Sequence, residues 1–204
     1  MAKRIQKNNF ERPSLRGALF IKIHYAIITL MDSILYIIFL AVIIFSAVLT
    51  GYSALIGAPF LPTPARLIKM VFEEAGLKKG NKIYDLGSGT GKTLIIAEKY
   101  FGATAVGFEL SPVLYVISKI NIFLRGDKNS KVILGNFYNQ NISDADMIFI
   151  FLMPRSIERL KSKFEKELRK GTKVISYAFE MKGWNPKKTI REEKSQAVFV
   201  YEIQ

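Results

Sequence analysis

Asp85, Gly87, Gly89 and Gly91 stand at alternate positions behind a short apolar run, in the order Ile83-Tyr-Asp-Leu-Gly-Ser-Gly-Thr-Gly91. Glycines spaced in this way let the backbone bend tightly and approach a ligand where any Cβ would collide. A helical pattern follows at once, near Thr90, so that free N–H groups of its first turn face the same space. Further along, Thr104-Ala-Val-Gly-Phe-Glu109 reads as a second strand closing on a carboxylate, a group able to hold both hydroxyls of a ribose. The combination describes a site for a nucleotide-like ligand.

Spacing narrows the ligand. The dinucleotide pattern G-x-G-x-x-G needs its third glycine at the position of Lys92, and the phosphate loop G-x-x-x-x-G-K-[ST], which Gly91-Lys92-Thr93 imitates, needs its first at the position of Leu86. What remains, Asp-x-Gly-x-Gly-x-Gly with an acid at the end of the next strand, resembles motif I and its acidic partner in the class I S-adenosylmethionine-dependent methyltransferases. That resemblance implies S-adenosylmethionine as cofactor, with Asp85, Gly87, Ser88, Gly89, Gly91 and Glu109 as its binding residues. Enzymes of this class often place an acid after the third strand, where it accepts from the adenine amino group. Here Gly135-Asn136-Phe137-Tyr138 departs from the pattern. The Asn136 amide oxygen can still accept such a bond, and Phe137 offers the ring an apolar or backbone contact.

The elements that must position these residues follow from periodicity. A helix is expected from about Pro64 to Ala75, capped by Thr63 or a neighbour and closed by Gly76. Strands and helices then alternate: strand 82–86, helix 90–101, strand 104–109, helix 112–125, strand 131–134, strand 146–152, helix 154–169 and strand 172–178. This predicts a mostly parallel α/β sheet with helices on both faces. Residues 188–203 read as two short strands around Glu192–Ser195, suiting the antiparallel hairpin that ends a Rossmann-like methyltransferase sheet. Asp146 opens its strand at the edge away from the ligand, which assigns it a structural role. The same strand delivers Phe151-Leu-Met-Pro154 to the carboxyl edge, where open α/β sheets place their ligands.

With 204 residues the chain holds one ordinary domain and a short appendage. The absence of cysteine and the lone His24 exclude disulfides, cysteine chemistry and a metal cluster. The net charge of +13 favours an anionic partner, nucleic acid or membrane face. Ser33 to Leu55 carries no charge, and at ~1.5 Å per residue such a stretch spans a hydrocarbon core of ~30 Å. The expected organisation is a basic arm over residues 1–32, a transmembrane anchor over 33–56, a proline-rich linker over 57–64 and a methyltransferase domain over 65–204. Lys3, Arg4, Lys7, Arg12, Arg16 and Lys22 against Glu11 mark the arm as polybasic. A basic N-terminus argues for a cytoplasmic arm, which after one span puts the domain on the far side from a cytosolic cofactor. Either the domain's own basic residues override the rule, or residues 17–56 form a hairpin turning near Asp32-Ser33. The expectation is a single-pass protein with its catalytic domain on the cofactor-bearing side.

Pro59-Phe-Leu-Pro-Thr-Pro64, the glycine turn, Gly107-Phe-Glu-Leu-Ser-Pro112, Phe151-Leu-Met-Pro154, Phe179 and Gly183-Trp184-Asn-Pro186 together resemble the membrane-anchored protein-lysine methyltransferases that modify the ATP synthase c-subunit and the adenine nucleotide translocase. The likeness covers roughly residues 57–187, and its glycine turn is common to all class I enzymes. It implies N-methylation of a lysine in a membrane protein, with Phe60, Tyr138, Phe151, Leu152, Pro154 and Trp184 as candidate walls of the substrate channel. Methyl transfer to an amine needs alignment and a neutral nucleophile, so no catalytic side chain is assigned. A small amine or lipid headgroup would suit an anchored enzyme equally. RNA lacks support beyond charge, because no recognisable RNA-binding module and no Asn-Pro-Pro-Tyr motif occurs. A non-enzymatic membrane scaffold with a degenerate pocket conflicts with the intact glycine turn and Glu109.

Overall fold

The computed structural model describes residues 15–56, 63–125, 129–192 and 195–204, so residues 1–14 of the basic arm, Phe60 and the linker through residue 62 lie outside the described residues. The chain forms two compact units, divided after Phe45.

Helix α1 (Leu15–Ile56) supplies the first unit with its residues through Phe45. It starts well before the expected anchor and passes through Asp32-Ser33 without a break, so no hairpin turn forms there. The hydroxyls of Thr29 and Ser33 donate to the carbonyls of Tyr25 and Thr29 at 2.9 and 2.8 Å. Polar side chains satisfied within their own helix need no outside partner, which suits an apolar environment. The stretch Arg16–Val48 is long and apolar enough to cross a membrane. Its large side chains, Phe20, Ile37, Phe39 and Phe45 among them, are exposed, unlike those of a core helix.

The second unit is a seven-stranded sheet in the order β3-β2-β1-β4-β5-β7-β6. Its elements are α2 (Ala65–Glu74), β1 (Lys82–Leu86), α3 (Lys92–Phe101), β2 (Thr104–Glu109), α4 (Pro112–Arg125), β3 (Ser130–Leu134), β4 (Met147–Ile150), α5 (Pro154–Glu167), β5 (Lys173–Tyr177), β6 (Lys188–Ile190) and β7 (Val198–Glu202). Strands β1 to β5 pair in parallel, and β7 runs antiparallel to β5 and β6. The class I methyltransferase sheet with a terminal antiparallel pair is therefore present.

Alternation along the strands divides the core in two. Ile83, Met147, Phe149 and Ile175 pack with Leu67, Ile68, Val71 and Phe72 of α2 and with Leu94 to Ala97 of α3. Their neighbours Tyr84, Leu86, Ile148, Ile150 and Val174 pack on the other face with Ile157, Leu160 and Phe164 of α5. Strands buried on both faces read as continuous apolar runs, as these do.

Three local expectations are corrected. The side-chain cap expected from Thr63 or a neighbour does not form, since the neighbour Pro64 holds the cap position of α2 and makes no such bond. Proline cannot supply one, because its side chain carries no hydrogen-bond acceptor. Helix α3 begins at Lys92, not Thr90, because the left-handed Gly91 directly precedes it. Strand β4 ends at Ile150, so Phe151 and Leu152 leave the sheet and enter the loop above it.

Asp146 ties the amino edge together. Its Oδ2 accepts from the Lys82 amide at 2.8 Å, and its Oδ1 meets Arg169 Nη2 at 3.1 Å. Replacing Asp146 by Ala should lower stability to denaturant by about 1–2 kcal/mol. Cofactor affinity measured by calorimetry should stay unchanged; a loss of binding would place this residue in the site instead.

Candidate functional site

Strand β1 ends between β2 and β4, whose following helices lie on opposite faces, and such a switch point opens a crevice at the carboxyl edge. The glycine turn fills its wall. Gly87, Gly89 and Gly91 are all left-handed, with φ of 103°, 55° and 78°. The Gly87 and Ser88 amides donate to the Phe108 carbonyl at 2.9 and 3.0 Å, which pins the turn to β2. At Gly91 a side chain is excluded twice, by its φ and by Ser118 Oγ, which would lie 2.3 Å from a Cβ. Below the turn, a Cβ on Gly107 would lie 2.5 Å from both Cβ and Oγ of Ser88. Strand β2 must be bare at that point for the turn to settle on it.

Two carboxylates sit under this turn. Glu109, 6 % exposed, accepts from Gly89 N at 2.8 Å through Oε2, and from Leu110 N at 2.9 Å and Ser111 N at 2.8 Å through Oε1. Burial pushes its carboxyl up, and these three amides pull against that rise. Asp85, 3 % exposed, is pushed up to about 7 by burial, opposed by the Thr93 hydroxyl and aided by the nearby charge of Glu109. No Lys or Arg among the described residues pairs with either acid. In a chain of net charge +13 this leaves a negative pocket floor that favours a cation. Ser88 Oγ is also buried without a hydrogen-bond partner.

The remaining candidates are distributed unevenly. Asn136 precedes a single 3-10 turn at Phe137–Asn139, and its Oδ1 accepts from Tyr138 N at 3.0 Å, which fixes the side chain and leaves the oxygen's second lone pair able to accept another bond. Phe137 is buried in the α5-side core, its ring 4.6 Å from that of Tyr138. The Tyr138 hydroxyl donates to the Ser156 carbonyl at 3.2 Å, and the Arg159 guanidinium lies 4.3 Å from its ring centre. Leu152 is buried next to Gly87, whose Cβ would lie 3.5 Å from its Cδ2. Half-buried Phe151 packs against Tyr177 at 4.6 Å, and exposed Pro154 opens α5. These groups share the carboxyl edge with the glycine turn.

Trp184 does not. Its Nε1 donates to Glu165 near the end of α5, and its ring meets Tyr201, which pairs with Val174 at the start of β5. That is the amino-edge half of the sheet, so Trp184 packs the α5 face and lines no channel at the turn. Phe60 lies outside the described residues. Gly107, Thr93 and Ser118 were not singled out as site residues. Only the lone glycine inside β2 and a serine within the apolar run of α4 could have marked two of them.

Comparison with known proteins decides the family. A model of the ANTKMT methyltransferase domain matches residues 85–188. A protein-lysine N-methyltransferase of Saccharolobus islandicus is 37% identical over 150 residues, spanning 71% of this chain and 93% of that protein. The chain belongs to the ANTKMT methyltransferase domain family. The human lysine N-methyltransferase of the ATP synthase c-subunit is 32% identical over 129 residues, covering 63% of this chain and 54% of that protein. Among solved structures, an RNA methyltransferase from Salinibacter ruber in complex with S-adenosyl-L-homocysteine superposes with a TM-score of 0.68 at 30% identity, covering 70% of this chain and 94% of that one. The cofactor of this methyltransferase is S-adenosylmethionine. Its cationic sulfonium and ammonium groups fit a pocket with two buried acids that lack a cationic partner and a turn bare of side chains.

Both oxygens of Glu109 accept from amides, so an amide side chain there must point its own N–H at one of them. Glu109→Gln should therefore weaken S-adenosylmethionine binding by at least about tenfold, one misplaced charge-assisted bond being worth roughly 1.5–3 kcal/mol. Calorimetry on the folded variant checks it, and unchanged affinity would remove Glu109 from the site.

Proposed function

We propose that this methyltransferase N-methylates lysine side chains of a protein held in, or against, the membrane that its own apolar helix enters. One pairing carries the reading: kinship with named protein-lysine N-methyltransferases, in a chain that also bears an exposed helix of membrane-spanning length. The helix tethers the domain at a bilayer surface on the cofactor-bearing side, where substrates meet it at raised effective concentration.

When bound, S-adenosylmethionine supplies a methyl group carried on a sulfonium. Asp85 and Glu109 offset that cofactor's positive charge, and the glycine turn admits it closely enough for contact with backbone amides. Tyr138, fixed by Ser156 and Arg159, and Phe151, fixed by Tyr177, give the crevice an aromatic rim, with Leu152 as its apolar base. A lysine with an ordinary pKa of ~10.4 reaches this rim as a cation. Apolar walls favour its neutral form, so its proton leaves to water before the nitrogen attacks. Alignment and desolvation then supply the acceleration, and no side chain need act as a base.

The likeness to an enzyme described as an RNA methyltransferase makes RNA the second reading. Incubating membranes with methyl-labelled cofactor, then separating protein, lipid and RNA, distinguishes the acceptors. The account expects label in protein, methyl-lysine by mass spectrometry, and an enzyme retained by membranes after carbonate washing. Label confined to RNA or lipid would overturn the lysine assignment, and release by carbonate would overturn the anchor.

A further inference from the structure

Helix α4 is apolar on both sides. Ser118 and Ile122 face the core. On the opposite side Val113, Val116, Ile117, Ile120, Phe123 and Leu124 are exposed, Phe123 by 82% and Leu124 by 73%. Spaced three and four apart, they form one stripe pointing away from the sheet, about 16 Å long at ~1.5 Å per residue. Helix α5 on the other face is built differently, for it buries Ile157, Leu160 and Phe164 and turns Arg155, Glu158, Arg159 and Ser162 to water. Stripes of this size are uncommon on a surface that contacts only water.

Cations border the stripe and α4 contains no acid. Lys119 lies on one flank, and on the other Arg125 joins a groove of about 490 Å³ lined by Arg66, Lys69, Lys92 and Lys99, with no Asp or Glu among its described lining residues. Arg66 is paired with Glu192, and Lys92 donates to the Thr63 carbonyl. Lys69 and Lys99 meet only the Tyr100 ring among the described contacts, at 4.6 and 5.7 Å. An apolar helix face flanked by cations matches the boundary between acyl chains and anionic headgroups. A second copy of this chain docked symmetrically would set these cations against one another.

We propose that α4 is a second membrane contact, through which the catalytic domain lies on an anionic leaflet with Phe123 and Leu124 inserted at the headgroup boundary. This rests on the anchor reading of α1. Since α4 starts at the carboxyl edge, such docking would hold the crevice near the bilayer surface.

The chain has no cysteine, so single labels report cleanly. Full-length Ile37→Cys, Phe123→Cys and Ser162→Cys, each carrying an environment-sensitive fluorophore, are reconstituted in vesicles containing nitroxide-labelled lipid, with or without phosphatidylserine. The proposal expects loss of fluorescence at 37 in both vesicles, loss at 123 that is greater with phosphatidylserine, and none at 162. Quenching at 37 but not at 123 overturns the docking face alone, whereas none at 37 overturns the anchor beneath it. Shielding of 123 that appears only as protein concentration rises, or only when a protein substrate is added, also overturns it by assigning the stripe to a second copy or to that substrate. Equal quenching at 123 in uncharged vesicles overturns the role of the flanking cations.

Discussion

The clasp on Glu109 is the interaction on which the site depends. One carboxylate takes amides from the turn after β1 and from the two residues after β2, so it locks together two segments that the parallel register already brings level. The lock works only because β2 is bare at Gly107 and α4 offers no more than Ser118 beneath Gly91. Its electrostatic consequence is a buried negative charge next to a second one, on Asp85. Burial opposes both charges and their mutual repulsion adds to it, so a ligand that brings positive charge is bound partly by the relief of that cost.

Most of the fold was legible in the sequence because the chain obeys local rules. The run at 82–86, the carboxylate at 109 and the Pro154 helix start all stand within a residue or two of their expected places. The glycine turn was readable because its residue types have few uses other than close backbone approach. Aromatic residues carry no such restriction. Trp184 could wall a channel or seal the α5 face, and only the antiparallel descent of β7, which brings Tyr201 to the amino-edge half, decides for the latter. Asn136 keeps both uses, since its amide oxygen caps its own turn through one lone pair and has a second with which to face an adenine.

Helix α4 shows a different limit. Its composition reads as an ordinary core helix, and only the structure reveals that Ser118 and Ile122 satisfy the core while the larger apolar residues point away. For an enzyme whose chemistry asks mainly for alignment, selectivity must come from what reaches the crevice. A chain with two apolar surfaces, one long helix and one stripe, is suited to select by location.

The most direct test of the acidic floor is calorimetry of S-adenosylmethionine binding at pH 6, in buffers of differing ionisation enthalpy. Without cofactor Asp85, pushed up to about 7, is mostly protonated at that pH. A bound cation favours the ionised carboxylate and lowers that value, so wild-type protein should release a fraction of a proton on binding. Asp85→Asn should release less, because only Glu109, which burial also pushes up, is left to contribute. Binding heats independent of buffer in the wild type, or the same release from the Asn variant, would contradict the account.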